Sequence, residues 1–99
     1  MTKIKKLAEE MLEELDGAKR YAECYVEKKA KDESSWASKF KEMANDELKH
    51  AMYLHDYIVQ EVDTISKVYT PSADMMDKWE KDHEQYVDKA AWIKQMLAL

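Results

Sequence analysis

Three residues of this 99-residue chain have the types and spacing of metal ligands. Glu47 and His50 lie three residues apart in the stretch NDELKHAMYLHD, residues 45–56, which otherwise has the apolar pattern of a helix that buries one side. Residues three apart lie on the same side of a helix, so this carboxylate and this imidazole can converge on one cation. Glu14 interrupts the apolar row of an earlier helix in the same way. Carboxylate oxygens with one imidazole nitrogen suit Fe(II), Mn(II) or Zn(II).

The elements that must position these residues are predicted to be long helices. The chain is 37% charged and 45% hydrophobic, and it contains one glycine and one proline, a composition with few helix breakers. Two breaks stand out: the polar segment KDESSW, 31–36, and the segment YTPSAD, 69–74. In the second, Thr70 can cap a helix and Pro71 suits the first helical position. The sequence therefore predicts helices over residues 3–31, 35–68 and 71–97.

Short turns between long helices favour antiparallel neighbours, so we expect one domain, residues 1–99, folded as an all-α, up-down-up three-helix antiparallel bundle. Each helix carries an apolar row at steps of three and four. The second helix has two such rows side by side, which predicts that it is the central helix. The row of the first helix is Ile4, Leu7, Met11, Glu14, Ala18, Tyr21 and Tyr25. The first row of the second helix is Trp36, Phe40, Met43, Glu47, His50, Leu54 and Tyr57. Its second row is Ala44, Leu48, Ala51, His55, Ile58, Val62 and Ile65.

The interruptions of the first two helices are predicted to meet. If the first turn is centred near residue 33, Glu14 lies level with about residue 52, within roughly one helical turn of Glu47 and His50. Burying an unpaired carboxylate costs several kcal/mol, on the order of 3–5, unless a partner or a cation offsets the cost. Three ligands leave a metal ion unsaturated. Two chains packed face to face about a two-fold axis would double the set to four Glu and two His, the ligands of a di-iron carboxylate centre.

At these residues the chain resembles the ferritin-like superfamily. The segment EELDGAKRY, 13–21, resembles the first ligand helix of rubrerythrins and short encapsulated ferritins, in which a ligand Glu precedes an aromatic-bearing position by seven, as Glu14 precedes Tyr21. The segment FKEMANDELKHAMYLHD, 40–56, resembles their second helix, in which Glu-x-x-His supplies the other ligands and Ala follows the His. The resemblance covers about residues 10–58, and the third helix is similar to that of small phage-type ferritin-like proteins.

The resemblance implies that Glu14 and Glu47 ligate or bridge two irons and that His50 is a terminal ligand, the three together carrying Fe(II) oxidation by O2 or peroxide. The implied activity is that of a ferroxidase or a peroxide scavenger, and the implied cofactor is iron, with manganese and zinc as alternatives. The chain lacks the second Glu helix and the second Glu-x-x-His helix of a full ferritin-like domain. A homodimer, or a higher homo-oligomer, that shares the site is therefore expected.

Two other classes of function remain open. Glu14, Glu47 and His50 can instead form a buried polar cluster that fixes helix pairing, in a non-catalytic assembly or adaptor protein. The protein can also store or transport metal without turnover. Tyr21 has two interpretations. It is a residue of the apolar core, or it lies near the ligand residues and acts as a hydrogen-bond donor or in electron transfer.

His55 and His83 are predicted to face each other across the second turn, since they are equidistant from Tyr69. His83 then lies about 10–15 Å along the bundle from His50, outside the proposed centre. Packed or partly exposed histidines are the ordinary interpretation, and a second metal site or a pH-sensitive contact is the alternative. Glu80 and His83 repeat the Glu-x-x-His spacing, but Glu80 lies off the apolar row of its helix.

Gly17, one turn after Glu14, is unfavourable in a helix by about 1 kcal/mol relative to alanine. A close helix approach or a local bulge near the site would explain it.

Charge and cysteine content exclude some partners. The net charge of −5 gives no support for nucleic-acid binding. The single Cys24 cannot form an internal disulfide. The sequence has no recognisable signal peptide and no apolar run of membrane-spanning length, so we expect a soluble, cytoplasmic protein with metal ions and further copies of itself as partners.

Overall fold

The computed structural model describes residues 2–99 and consists of three α-helices, with no strand in that range. The helices are α1, Thr2–Ala30; α2, Ser34–Val68; and α3, Ala73–Leu97. The prediction of an all-helical chain is confirmed, and each helix end lies within about two residues of its predicted position, the usual uncertainty of helix boundaries. Within residues 2–99, no helix combines the length and the apolarity needed to cross a membrane.

The turn between α1 and α2 is closed by hydrogen bonds from its own backbone. Asp32 has a positive φ of 58°, a left-handed conformation that Asp tolerates better than most residues. The amide of Glu33 donates to the carbonyl of Lys28 at 2.9 Å, and the amide of Asp32 donates to that of Lys29 at 3.1 Å. These bonds satisfy carbonyls at the end of α1, which stops the helix and allows α2 to begin at once.

The start of α3 differs from the prediction. Ser72 is the N-cap, and its hydroxyl accepts a hydrogen bond from the amide of Met75 at 3.2 Å. Pro71 therefore precedes the helix instead of occupying its first position, and Thr70 is not the cap. The physical reason is that a serine side chain can satisfy an otherwise free amide, and Asp74 then adds a negative charge to the positive end of the helix dipole.

The core is built from a few large apolar side chains set among alanines. The largest fully buried side chains are Met11, Leu15, Ile58 and Ile93. The fully buried alanines are Ala18, Ala22, Ala44 and Ala51. Small side chains at a helix contact bring the helix axes close together. The core of the bundle is therefore narrow, and a small number of large residues supply much of its buried apolar surface.

α1 is the central helix of the three. α3 packs mainly against α1 and contacts α2 at few positions. The prediction that α2 is central is therefore wrong. The physical reason is that α1 buries a wider face than its single predicted row, since Ala8, Leu15 and Ala22 are buried beside that row.

Contacts between α1 and α2 fix which parts of the two helices face each other. The ammonium of Lys3 contacts the hydroxyl of Tyr57, and the rings of Tyr21 and Phe40 stack with centroids 6.4 Å apart. Glu14 lies between Lys3 and Tyr21 in α1, so it faces the middle of α2.

We predict that Leu15→Ala lowers the free energy of unfolding by about 2–5 kcal/mol, because it removes a fully buried side chain and leaves a cavity. Urea denaturation followed by circular dichroism measures the change. Leu99→Ala is the matched control, since Leu99 is 65% exposed and should change stability by less than about 0.5 kcal/mol. Equal effects of the two substitutions would contradict the assigned core.

Candidate metal centre

The structure brings Glu14, Glu47 and His50 together. Each offers a ligand atom, and these atoms all lie within 4.8 Å of one another. The Nδ1 atom of His50 lies 3.6 Å from Oε2 of Glu14. Among residues 2–99, this is the one group of three or more acidic, histidine or cysteine side chains that converges in this way.

The three side chains lie at the edge of the contact between α1 and α2 instead of inside the bundle. α1 supplies Glu14, next to the fully buried Leu15, and α2 supplies Glu47 and His50 on successive turns. The side chain of Glu14 is 31% exposed and that of His50 is 55% exposed. The expectation that these residues interrupt a buried face therefore needs correction for the single chain, in which this side of α2 points outward.

The two carboxyl groups perturb each other. A hydrogen bond with Glu14 raises the pKa of Glu47 above its ordinary value, and burial and the negative charge of Glu14 raise it further. This bond requires a proton, because two ionised carboxylates have no donor between them. Oε2 of Glu14 is buried and has no hydrogen-bond partner among the described residues. The pair thus favours either a shared proton or a bound cation.

This chemistry fits a metal ion. A buried oxygen without a donor and two neighbouring carboxylates are costly unless a positive charge offsets them. The set of two carboxylates and one imidazole is compatible with iron, manganese or zinc. Three ligands from one chain leave coordination positions open, as catalytic metal sites require.

Gly17 makes space for one of the ligands. It is buried in α1, and a Cβ atom built there would lie 3.3 Å from Oε2 of Glu47 and 3.8 Å from its Cγ. The close approach expected from the sequence is thus made by a side chain of α2, and α1 continues through Gly17 without a break. The sequence marked Gly17 as unusual, but periodicity alone could not identify Glu47 as the group that fills the space.

Apolar side chains flank the site along α2. Trp36 is 54% exposed, Met43 39% and Tyr57 38%, while Phe40 and Leu54 are half-buried between them. We call these five residues the outer row. Extended apolar surface of this kind is typical of an interaction site.

Tyr21 contacts the outer row instead of the three ligand residues. Its ring stacks on Phe40, whose ring lies 6.1 Å from that of Trp36. Within the described residues, no hydrogen bond joins the Tyr21 hydroxyl to Glu14, Glu47 or His50. Its contacts are those of a packing residue. Tyr21 lies one heptad after the candidate ligand Glu14 in α1.

His55 and His83 meet at the contact between α2 and α3, as the sequence predicts. Their ring centroids are 5.0 Å apart, and the ring of Tyr86 lies 4.3 Å from that of His55 with an interplanar angle of 7°. Nδ1 of His55 lies 2.9 Å from a carboxylate oxygen of Asp56. The lone pair of an imidazole nitrogen lies in the ring plane, so two stacked rings do not direct lone pairs at one ion. The arrangement is that of packed aromatic side chains.

Comparison of the chain with protein-family models, with curated proteins and with solved structures finds no match in any of the three. The resemblance to ferritin-like proteins therefore remains a prediction from the sequence. The function has to be argued from the geometry and chemistry of the site itself.

We predict that Glu47→Gln stabilises the metal-free protein by an amount that grows with pH. Because the pKa of Glu47 is raised in the folded state, the native protein holds this proton more tightly than the unfolded chain does. The wild type should therefore lose stability relative to the variant as the pH rises from about 4.5 through the raised pKa, and the difference should level off above it.

Urea denaturation in the presence of a chelator, at several pH values from 4.5 to neutral, measures this difference. Glu42→Gln is the control, because Glu42 is an exposed carboxylate of the same helix. If the difference in unfolding free energy between the wild type and Glu47→Gln does not change with pH, the shared-proton interpretation is wrong.

Proposed function

We propose that this protein is a ferritin-like di-iron carboxylate protein that oxidises Fe(II) with O2 or peroxide, at a site shared between two chains. The observation that carries the proposal is the convergence of Glu14, Glu47 and His50 from two helices onto one point. Charged side chains usually point into water, yet here two carboxylates from different helices approach each other. A cation is the ligand that this arrangement favours.

The proposed assembly begins with the topology of one chain. We infer an up-down-up bundle, supported by the contacts of Lys3 with Tyr57 and of Tyr21 with Phe40, since positions later in α1 contact positions earlier in α2. Two such chains would pack their α1–α2 surfaces about a two-fold axis. The outer row supports this arrangement, because its exposed members Trp36, Met43 and Tyr57 flank the site on both sides along α2.

The residues have distinct tasks in this centre. Glu14 and Glu47 would hold or bridge the metal ions, and His50 would be a terminal ligand. Iron bound there would supply the electrons that reduce O2 or peroxide. Entry of a cation displaces the proton that the two carboxyl groups otherwise share, because a ligand carboxylate must be ionised. The outer row, once covered by the second chain, would keep water away from the site.

A non-catalytic assembly or adaptor protein is the second candidate. The observation that favours it is the same outer row, which could bind another protein whatever the three polar residues do. A proton shared between Glu14 and Glu47 would then satisfy the carboxyl groups without metal. Metal storage without turnover is a third candidate, with the same ligands as the enzyme.

We predict that, after anaerobic loading with Fe(II) and desalting, the wild type retains about one iron per chain, the ratio of a di-iron site shared by two chains. Glu47→Ala/His50→Ala should retain none, because it removes two of three ligands. Elemental analysis measures the ratio. Glu80→Ala/His83→Ala is the matched control, since it has the same Glu-x-x-His spacing on α3 and lies outside the site.

Loss of iron in both double variants, or in neither, would contradict the assigned ligands. Absence of retained iron in the wild type would favour the adaptor protein. If iron is retained, O2 consumption on addition of Fe(II) separates the enzyme from a storage protein. Bound iron should also raise the melting temperature of the wild-type dimer, because a ligand that binds only the folded state stabilises it.

A further inference from the structure

We infer that Gly17 is a positioning residue of the metal centre, because it leaves free the space against α1 that the Glu47 carboxylate occupies. The inference rests on the proposed function for its chemical meaning, but the contact itself is independent of any metal. Gly17 lies one turn from Glu14 on α1, so it borders the point at which the two carboxyl groups meet.

The atoms nearest to Gly17 show which side chain occupies the space that a larger residue would fill. The three heavy atoms closest to a Cβ built at this position are Oε2, Cδ and Cγ of Glu47, at 3.3, 3.7 and 3.8 Å. None of them belongs to the backbone of α2. An alanine methyl group would therefore press on the carboxylate of Glu47, which would have to shift by a few tenths of an ångström.

No backbone requirement explains the glycine. Gly17 does not have a positive φ, and it lies in the interior of a continuous helix. Glycine is less favourable than every residue except proline at such a position. It is the single glycine of the chain. Space for Glu47 is the remaining role that the structure provides for it.

The position of the Glu47 carboxylate matters for the metal centre, because metal ligands must be placed accurately. A functional site needs its ligands within about 0.5 Å of their working positions. The displacement that an alanine at position 17 requires, a few tenths of an ångström, uses much of that tolerance while leaving all three candidate ligand residues in the chain. Changes to the supporting residues of a metal ligand commonly weaken metal binding by about 10–100-fold, and we expect Gly17→Ala to fall in that range.

The test is a titration of metal-free protein with Co(II), followed by visible absorption, which reports both affinity and ligand geometry. Gly17→Ala should fold, bind Co(II) about 10–100-fold more weakly than wild type and show a changed visible spectrum. Ser66→Ala is the control, because it removes a poor helix former from an exposed position of α2 without touching the site. Wild-type affinity and spectrum in Gly17→Ala would overturn the inference.

A metal-free double-mutant cycle keeps the contact testable by itself. Gly17→Ala should raise the urea midpoint more in the Glu47→Ala background than in the wild type, because only the wild type has a carboxylate in the way. Equal gains in both backgrounds would overturn the positioning role even if metal binds. Absence of Co(II) binding by the wild type would contradict the proposed function and the role of Gly17 in metal binding. Unequal gains in the urea midpoint would still show that Gly17 makes room for Glu47.

Discussion

The approach of two carboxyl groups across the contact between α1 and α2 is the constraint on which this structure depends. The negative charge of Glu14 raises the pKa of Glu47, so this approach favours a proton on Glu47 or a positive charge beside the pair. The raised pKa of Glu47 follows from that approach. Oε2 of Glu14, which is buried without a hydrogen-bond partner, lies 3.6 Å from Nδ1 of His50. The site therefore holds two carboxyl groups beside an imidazole at a half-exposed position, where a shared proton or a bound cation would offset their charge.

The distribution of side-chain size along α2 differs between its two sides. Where α1 and α2 meet, α2 turns alanines inward, among them Ala44 and Ala51, and both are fully buried. Its largest side chains, including Trp36 and Tyr57, lie on the outside. α2 also buries Ile58 and Val62, but its exposed Trp36 and Tyr57 give it an apolar surface that its own chain does not cover. The side of α2 that carries Glu47 and His50 therefore also carries this uncovered apolar surface.

The sequence predicted the three helices and the convergence of Glu14, Glu47 and His50 because each left a local signal. Scarce helix breakers marked the helix ends, and Glu14, Glu47 and His50 stood out as polar residues in apolar rows. Periodicity counts the apolar rows of a helix but does not say which neighbour each row faces, so the central helix was assigned to α2 instead of α1. The contact of Gly17 with Glu47 depends on side-chain positions across two helices, which no spacing within one helix encodes.

The central position of α1 also has a consequence for the order in which the molecule assembles. Tyr21 and Phe40 are near neighbours along the chain, whereas Asp16 of α1 and Lys89 of α3, whose charged groups lie 2.8 Å apart, are separated by 73 residues. Closing the shorter loop costs less chain entropy, and contacts close in sequence form faster. We therefore expect the α1–α2 pair, which carries Glu14, Glu47 and His50, to form before α3 docks against α1.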